Sequence, residues 1–158
     1  MPVNIKAKLI KKENLKNDIY KFSLQAKEIT ETAKPGNFVE IRVSDSIEPL
    51  LRRPISIYNM EKETGILEII FQEKGKGTKI LANRKEGEEI DIVGPLGYGT
   101  FDIKTQGEVA IIGGGIGIFP LYELAKQTKQ QNNIAPKVNT YLGFRSKEFV
   151  VLEKEFEK

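Results

Sequence analysis

The sequence contains no cysteine and no histidine. Disulfides, thiolate nucleophiles, the usual zinc sites and imidazole general bases are therefore excluded together. Any redox chemistry has to come from a bound cofactor. Long hydrophobic runs are missing too, and none approaches the ~20 residues of a membrane span. The first ten residues, MPVNIKAKLI, alternate Val3, Ile5, Ala7 and Leu9 with polar residues, which reads as a strand and not as a signal peptide. Nor is there an excess of one charge. Twenty-five Lys and Arg stand against 22 Asp and Glu, a net +3 spread without a long like-charge block. That balance argues against nucleic acid as a partner. Together these absences lead to the expectation of a soluble, cytoplasmic chain with neither a nucleic-acid nor a membrane partner.

What is present is a set of short strands. The 158 residues are 39% hydrophobic, enough for a packed core. In DIYKFSLQA, Tyr20, Phe22 and Leu24 share one face; after the Pro35-Gly36 turn, Val39, Ile41 and Val43 share another. LLRRPISIYN, GILEIIFQE and GEEIDIVGPLG continue the series, with GTKILANRKEG between the last two reading as a short helix. Leu51, Ile55 and Ile57 are expected in a sheet. Near-regular strands punctuated by Gly and Pro predict a small antiparallel β-barrel over residues 1–100.

The pattern changes in GEVAIIGGGIGIFPLYELAKQTKQQ, a buried-type strand, a glycine cluster and a helix with Leu121, Leu124, Ala125 and Thr128 at helical spacing. KVNTYLGF is a second strand, completing a βαβ unit on a parallel sheet, and SKEFVVLEKEFEK opens another helix. Residues 101–158 thus form the N-terminal part of an α/β domain. Its lone βαβ piece leaves sheet edges uncovered, so that either the chain is a fragment or a partner covers the edge.

Three glycine clusters carry functional signal. GGGIGIFP joins strand to helix, where glycines let a backbone approach a pyrophosphate and the helix start offers free N–H groups; close helix–sheet packing is the alternative. In EKGKGTKIL, Thr78 reads first as a helix N-cap, with a phosphate clasp from the Gly77 N–H and Thr78 hydroxyl as the alternative. GPLGYG reads as a loop between domains. The oddest stretch is LLRRPISIYNM. Its two arginines are either exposed charges flanking an edge strand, since Pro54 lacks a ladder donor, or a phosphate clamp in which the planar fork of Arg53 acts. In the second case Ser56 presents its hydroxyl to a ring nitrogen of the same ligand.

RRPISI, EIIFQEKGKGT, GPLGYG and GGGIGIFPL, in that order, resemble the ferredoxin–NADP reductase superfamily with its Arg-x-x-Ser flavin signature. The doubled arginine before Pro-Ile-Ser, GGGIGIFPLYELAK and YLGFRSKE are most similar to the family of electron-transfer subunits of type B dihydroorotate dehydrogenases. The resemblance implies a six-stranded antiparallel Greek-key FAD-binding barrel followed by an incomplete Rossmann-like NAD-binding domain. It implies that Arg53 binds the FAD pyrophosphate, that Pro54, Ile55 and Ser56 lie along the flavin, and that Ile69, Ile70 and Phe71 lie along the ribityl and ring region. Gly75, Gly77 and Thr78 then hold the pyrophosphate from the helix side. Gly113, Gly114, Gly115 and Gly117 form the nicotinamide-dinucleotide loop, and Phe144 to Ser146 lie near its adenosine end. No side chain is assigned as a catalytic acid or base.

The implied activity is that of an FAD-dependent electron-transfer subunit, passing electrons from a dihydroorotate dehydrogenase catalytic subunit to NAD in pyrimidine biosynthesis. Alternatives are a stand-alone ferredoxin:NADP-type flavin reductase and a non-catalytic flavin-binding remnant; a homodimer is also open. Members of the family continue into the rest of the NAD domain and a cysteine-rich segment holding a [2Fe–2S] cluster. This sequence contains neither, so the NAD site is expected to be weak or incomplete and the chain to be inactive alone. With no thiolate to ligate iron, the purified chain is expected to contain no stoichiometric iron or acid-labile sulfide, as metal and sulfide analysis will test.

Overall fold

The computed structural model describes residues 1–103, 106–130 and 136–157; the expected second domain, 101–158, extends over positions outside them. Strands β1 (Val3–Lys16) and β2 (Ile19–Gln25) form a long hairpin, and a short helix α1 (Lys27–Thr30) follows. Next come β3 (Phe38–Arg42), β4 (Arg53–Glu61), β5 (Ile66–Gln72), helix α2 (Lys76–Ala82) and β6 (Glu89–Leu96). The six strands close into one antiparallel barrel in the order β1-β2-β5-β4-β3-β6. Closure removes most of the free sheet edge that the hydrophobic strands would otherwise expose, leaving one side of each half of β4 unpaired.

Period-two alternation puts Leu9, Phe22, Leu24, Val39, Ile41, Leu67, Ile69, Ile90 and Ile92 in the barrel interior, all completely buried. Phe22 meets Phe71 edge-on at 5.1 Å, and Tyr20 stacks on Phe71 at 5.9 Å. Lys12 ties α2 to the barrel. Its ammonium donates to the Ala82 and Arg84 carbonyls and lies 5.5 Å from the centre of the Tyr20 ring. A cation thus sits where the helix leaves its last carbonyls unpaired.

Beyond the barrel, β7 (Glu108–Gly114) and β8 (Lys137–Gly143) pair in parallel, and α3 (Phe119–Lys129) crosses between them after a 3-10 turn at Gly115–Ile118. A second 3-10 turn (Lys147–Phe149) and helix α4 (Glu153–Glu157) follow. One apolar cluster joins this unit to the outside of the barrel: Ile19, Tyr58 and Ile70 pack with Ile111, Ile118, Phe119, Ala125 and Phe156. Tyr58 stacks on Tyr122 at 4.6 Å, and Phe156 meets Tyr122 edge-on at 5.6 Å. Burial raises the pKa of both tyrosine hydroxyls and keeps them neutral.

Several expectations need correction. Leu51 lies outside every strand and is exposed, because the chain bends through residues 45–51 before β4 begins. β1 runs to Lys16 instead of stopping near residue 10, since it pairs with β6 in its first half and with β2 in its second. Gly94 to Leu96 belong to β6, so only the end of GPLGYG is loop. The final segment is a 3-10 turn and a short helix, broken at Leu152 by a positive φ of 63°. Phe22→Ala is expected to lower the unfolding free energy by about 3–5 kcal/mol, read by urea denaturation, because it opens a cavity at the fully buried centre of the barrel.

Candidate cofactor site

β4 changes partner halfway along. Arg53, Pro54, Ile55 and Ser56 pair with Ile41, Glu40, Val39 and Phe38 of β3. From Ile57 onward the strand pairs with β5, beginning at Ile57↔Ile69. Ile70 to Gln72 of β5 are paired with β2 only. β4 and β5 therefore part at Ser56, leaving a gap lined by backbone on both sides. Pro54 fits here: it needs no donor on the side that has no strand. The edge-strand reading of Pro54 is thereby corrected, since β4 sits between β3 and β5 in a closed barrel.

The two arginines have different roles. Arg52 is held by Asp91, with Nη2 at 2.8 Å from the carboxylate and Nη1 at 3.3 Å from the Asp91 carbonyl. It is no free surface charge. Arg53 has no carboxylate partner among the described residues; its Nη1 donates to the carbonyls of Leu51 and Arg52. Its guanidinium lies against Gly77, where an added Cβ would come within 2.8 Å of Cζ. A glycine at 77 is what allows the guanidinium to reach the start of α2. There the first N–H groups of the helix are unpaired and its dipole end is positive. The Ser56 hydroxyl, partly exposed, has no hydrogen-bond partner among the described residues.

Thr78 is not the N-cap. Gly75, in extended backbone, holds that position, and Thr78 sits three residues in. Its hydroxyl accepts from the N–H groups of Lys74 and Gly75 and donates to the Gly75 carbonyl, so it braces the loop from below. The side chains of Ile69 and Phe71 point into the barrel core, and that of Ile70 into the inter-unit cluster. What β5 offers at the gap is backbone.

The glycine cluster lies at the carboxyl end of the parallel pair, where ligands bind in open α/β sheets. Gly113 is required by packing, since a Cβ there would come within 2.6 Å of Leu121 Cδ1. Gly115 adopts φ 53°, a left-handed conformation. Gly114 faces Gly143 across the pair, and Gly117 has open space around it. A cleft of about 370 Å³ opens beside the loop. Its walls are Asp18, Gln72 and Lys74 from the barrel, Gly115, Ile116 and Phe119 from the loop, and Phe144 and Arg145 after β8. Ser146 donates instead to Glu148. The segment from Gln72 to Gly77 connects this cleft with the Arg53 cradle, so the two halves of the site share one stretch of chain. Sequence reasoning missed Asp18, Gln72 and Lys74; the only signal was that Gln72 and Lys74 lie just before the glycines of EKGKGTKIL. Among the described residues no group of three or more acidic, His or Cys side chains is placed to hold a metal. None of the described helices is long and apolar enough to cross a membrane.

Comparisons with known proteins bear on the family and the fold. Residues 6–101 match the family described as "Oxidoreductase FAD-binding domain". The electron transfer subunit of dihydroorotate dehydrogenase B (NAD(+)) from Lysinibacillus sphaericus is 38% identical over 153 residues, covering 96% of this chain and 58% of the relative. The subunit of the same name from Fusobacterium nucleatum is 43% identical over 143 residues, covering 89% and 54%. The chain thus spans just over half the length of the curated relatives it matches. Among solved structures, an NADH-dependent reduced ferredoxin-NADP oxidoreductase superposes with a TM-score of 0.82 at 32% identity, over 95% of this chain and 52% of the other. Ferredoxin-NADP+ reductase from Plasmodium falciparum, with a TM-score of 0.80 at 18% identity over 98% of this chain and 64% of the other, shares the fold.

The unequal partners of the two arginines generate a test. In the ligand-free chain Arg52→Ala is expected to cost roughly 0.5–1.5 kcal/mol of stability, the range for an ordinary hydrogen bond, because solvent screens this partly exposed ion pair. Arg53→Ala is expected to cost distinctly less, and paired urea titrations will compare them.

Proposed function

The chain belongs to the oxidoreductase FAD-binding domain family, and from that membership we propose that it forms the FAD-binding part of the electron-transfer subunit of a dihydroorotate dehydrogenase. In this reading residues 1–100 hold FAD and residues 101–158 begin the NAD-binding domain. Electrons from the catalytic subunit reach NAD through this flavin, in the cytoplasm and in the service of pyrimidine biosynthesis. The reading is supported by the two dihydroorotate dehydrogenase B subunits, at 38% and 43% identity.

The observation that carries the flavin assignment is the Arg53 guanidinium, without a carboxylate partner among the described residues, set against Gly77 at the start of α2 beside the gap between β4 and β5. Arg53 and the first N–H groups of α2 converge on one point and suit a pyrophosphate. Ser56, with its hydroxyl unengaged, is three residues further along β4 and suits a hydrogen bond to the flavin ring. Pro54 and Ile55 border the same path. Gly75 and Gly77 keep the backbone close, while Thr78 holds their loop. Bound FAD would supply the ability to accept a hydride and release single electrons. The chain's residues bind, orient and shield it. The glycine loop Gly113–Gly117 and the adjoining cleft suit the nicotinamide dinucleotide, with Arg145 at the far wall. The family's [2Fe–2S] cluster finds no cysteine in this sequence, so its ligands would have to come from elsewhere.

A second reading, a stand-alone flavin reductase, draws on the ferredoxin-NADP oxidoreductase likeness at 32% identity. Co-purification with a dihydroorotate dehydrogenase catalytic chain favours the first reading; NADH-dependent reduction of ferredoxin without that chain favours the second.

The flavin assignment is tested by reconstitution. Wild-type chain mixed with FAD and desalted is expected to stay yellow; loss of all flavin absorbance would overturn the assignment. Arg53→Ala is expected to weaken FAD binding by roughly 1.5–3 kcal/mol, the range for hydrogen bonds to charged groups. Arg53→Lys is expected to recover part of that, because an ammonium cannot fork, and Arg52→Ala to change affinity less.

A further inference from the structure

Beyond Ser56, β4 has β5 on one side and no strand on the other, since β3 is paired only with Arg53 to Ser56. In an antiparallel ladder the N–H and C=O of one residue point the same way. At Met60 both point away from β5, and a helix satisfies both. Glu123 Oε2 accepts from the Met60 N–H at 3.0 Å, and Lys126 Nζ donates to the Met60 carbonyl at 3.2 Å. The two side chains lie one turn apart on α3 and pair with each other at 3.1 Å.

This arrangement is costly to build by chance. Glu123 is 1% exposed, and a carboxylate withdrawn so far from water is tolerated only when fully hydrogen-bonded. Gln127 supplies a further donor at 2.8 Å. Lys126 also reaches Asn59 Oδ1 and, at 3.2 Å, Glu61. Every one of these bonds joins α3 to the second half of β4 or braces that junction. The first half of β4 carries Arg53 and Ser56, and the start of α3 carries the glycine loop. One strand and one helix therefore span both nucleotide sites, and they are joined at this point.

We propose that Glu123 and Lys126 are positioning residues that set the distance and angle between the glycine loop and the flavin half of β4. Their role in electron transfer rests on the flavin and nicotinamide reading above; their role in docking does not. Apolar contacts such as Tyr58 on Tyr122 hold the two units together through a force that is non-directional. The hydrogen bonds to a single backbone residue fix register, because they form in only one alignment.

Two readouts test this. The chain has no native cysteine, so spin labels can be placed at Lys85→Cys in the loop between α2 and β6 and Lys129→Cys on α3, both exposed positions. Electron–electron distance measurements are expected to give a narrow distribution for the otherwise wild-type chain. Glu123→Ala and Lys126→Met are each expected to widen or shift it, with Glu123→Gln intermediate because its amide oxygen can still accept from Met60. A distribution as narrow and centred as wild type in both Glu123→Ala and Lys126→Met overturns the proposal. Lys126→Met, which keeps the aliphatic stem, covers the case in which Glu123→Ala does not fold. The second readout is single-turnover reduction of the FAD-loaded chain by NADH, at a temperature where every variant is folded. The limiting rate is expected to fall at least tenfold in Glu123→Ala while FAD affinity stays within twofold; an unchanged limiting rate overturns the electron-transfer role. A wild-type chain that binds no FAD defeats the flavin reading, one that NADH does not reduce bears out the expected weakness of its nicotinamide site and removes the electron-transfer role for this chain alone, and in either case the label distances decide the docking role.

Discussion

The structure depends on β4 having to serve two partners in succession. A strand in a closed barrel normally pairs on both sides along its length. This one pairs with β3 for its first four residues and with β5 thereafter. Each half therefore has one bare side, and backbone groups there must find partners from outside the sheet. The first bare side faces the gap beside Arg53 and α2. The second is closed by two side chains of α3. Because one strand runs through both, the cofactor half of the barrel and the seat of the second unit are parts of a single rigid element.

The arginines at the start of β4 show how neighbouring residues of one type divide their work. Successive residues of a strand point to opposite faces. Arg52 is spent on Asp91 and binds β6 to the chain entering β4. Arg53 lies instead against Gly77, and among the described residues no carboxylate answers its charge. A guanidinium kept partly dry and unpaired by anions is poised for one that arrives from outside. Neighbouring groups have already been used for support: Thr78 holds the loop before α2, and Lys12 closes the far end of that helix. The cradle is thus braced at both ends before any ligand enters.

Much of this was legible from residue order. Period-two alternation located the first three barrel strands, because a closed barrel buries one face of each, and apolar stretches punctuated by Gly and Pro located the other three. The apolar run before GGGIGIFP and the helical spacing after it located the parallel pair and α3. Arg53, Ser56 and the glycines stood out as residue types that a plain strand does not need. The reading of Thr78 as a cap failed by three residues, since a threonine hydroxyl can reach back to the same N–H groups from inside the first turn. Leu51 was misplaced because its hydrophobicity matched its neighbours, while the bend through residues 45–51 left no local apolar signature.

The sequence by itself determined the position of each barrel strand, helices α2 and α3, the absence of thiol and imidazole chemistry, and the likeness to flavin-binding electron-transfer subunits, because each is written in local periodicity, composition or contiguous motifs. Only the tertiary structure decided which arginine is engaged by Asp91, that the side chains of Ile69, Ile70 and Phe71 are buried in packing, and that Glu123 and Lys126 close an open strand edge. Those outcomes depend on groups 39 and 63 residues apart in the chain, Arg52 with Asp91 and Met60 with Glu123. Such pairings arise from barrel closure and from the point at which one strand changes partners, and no local pattern of residues encodes either.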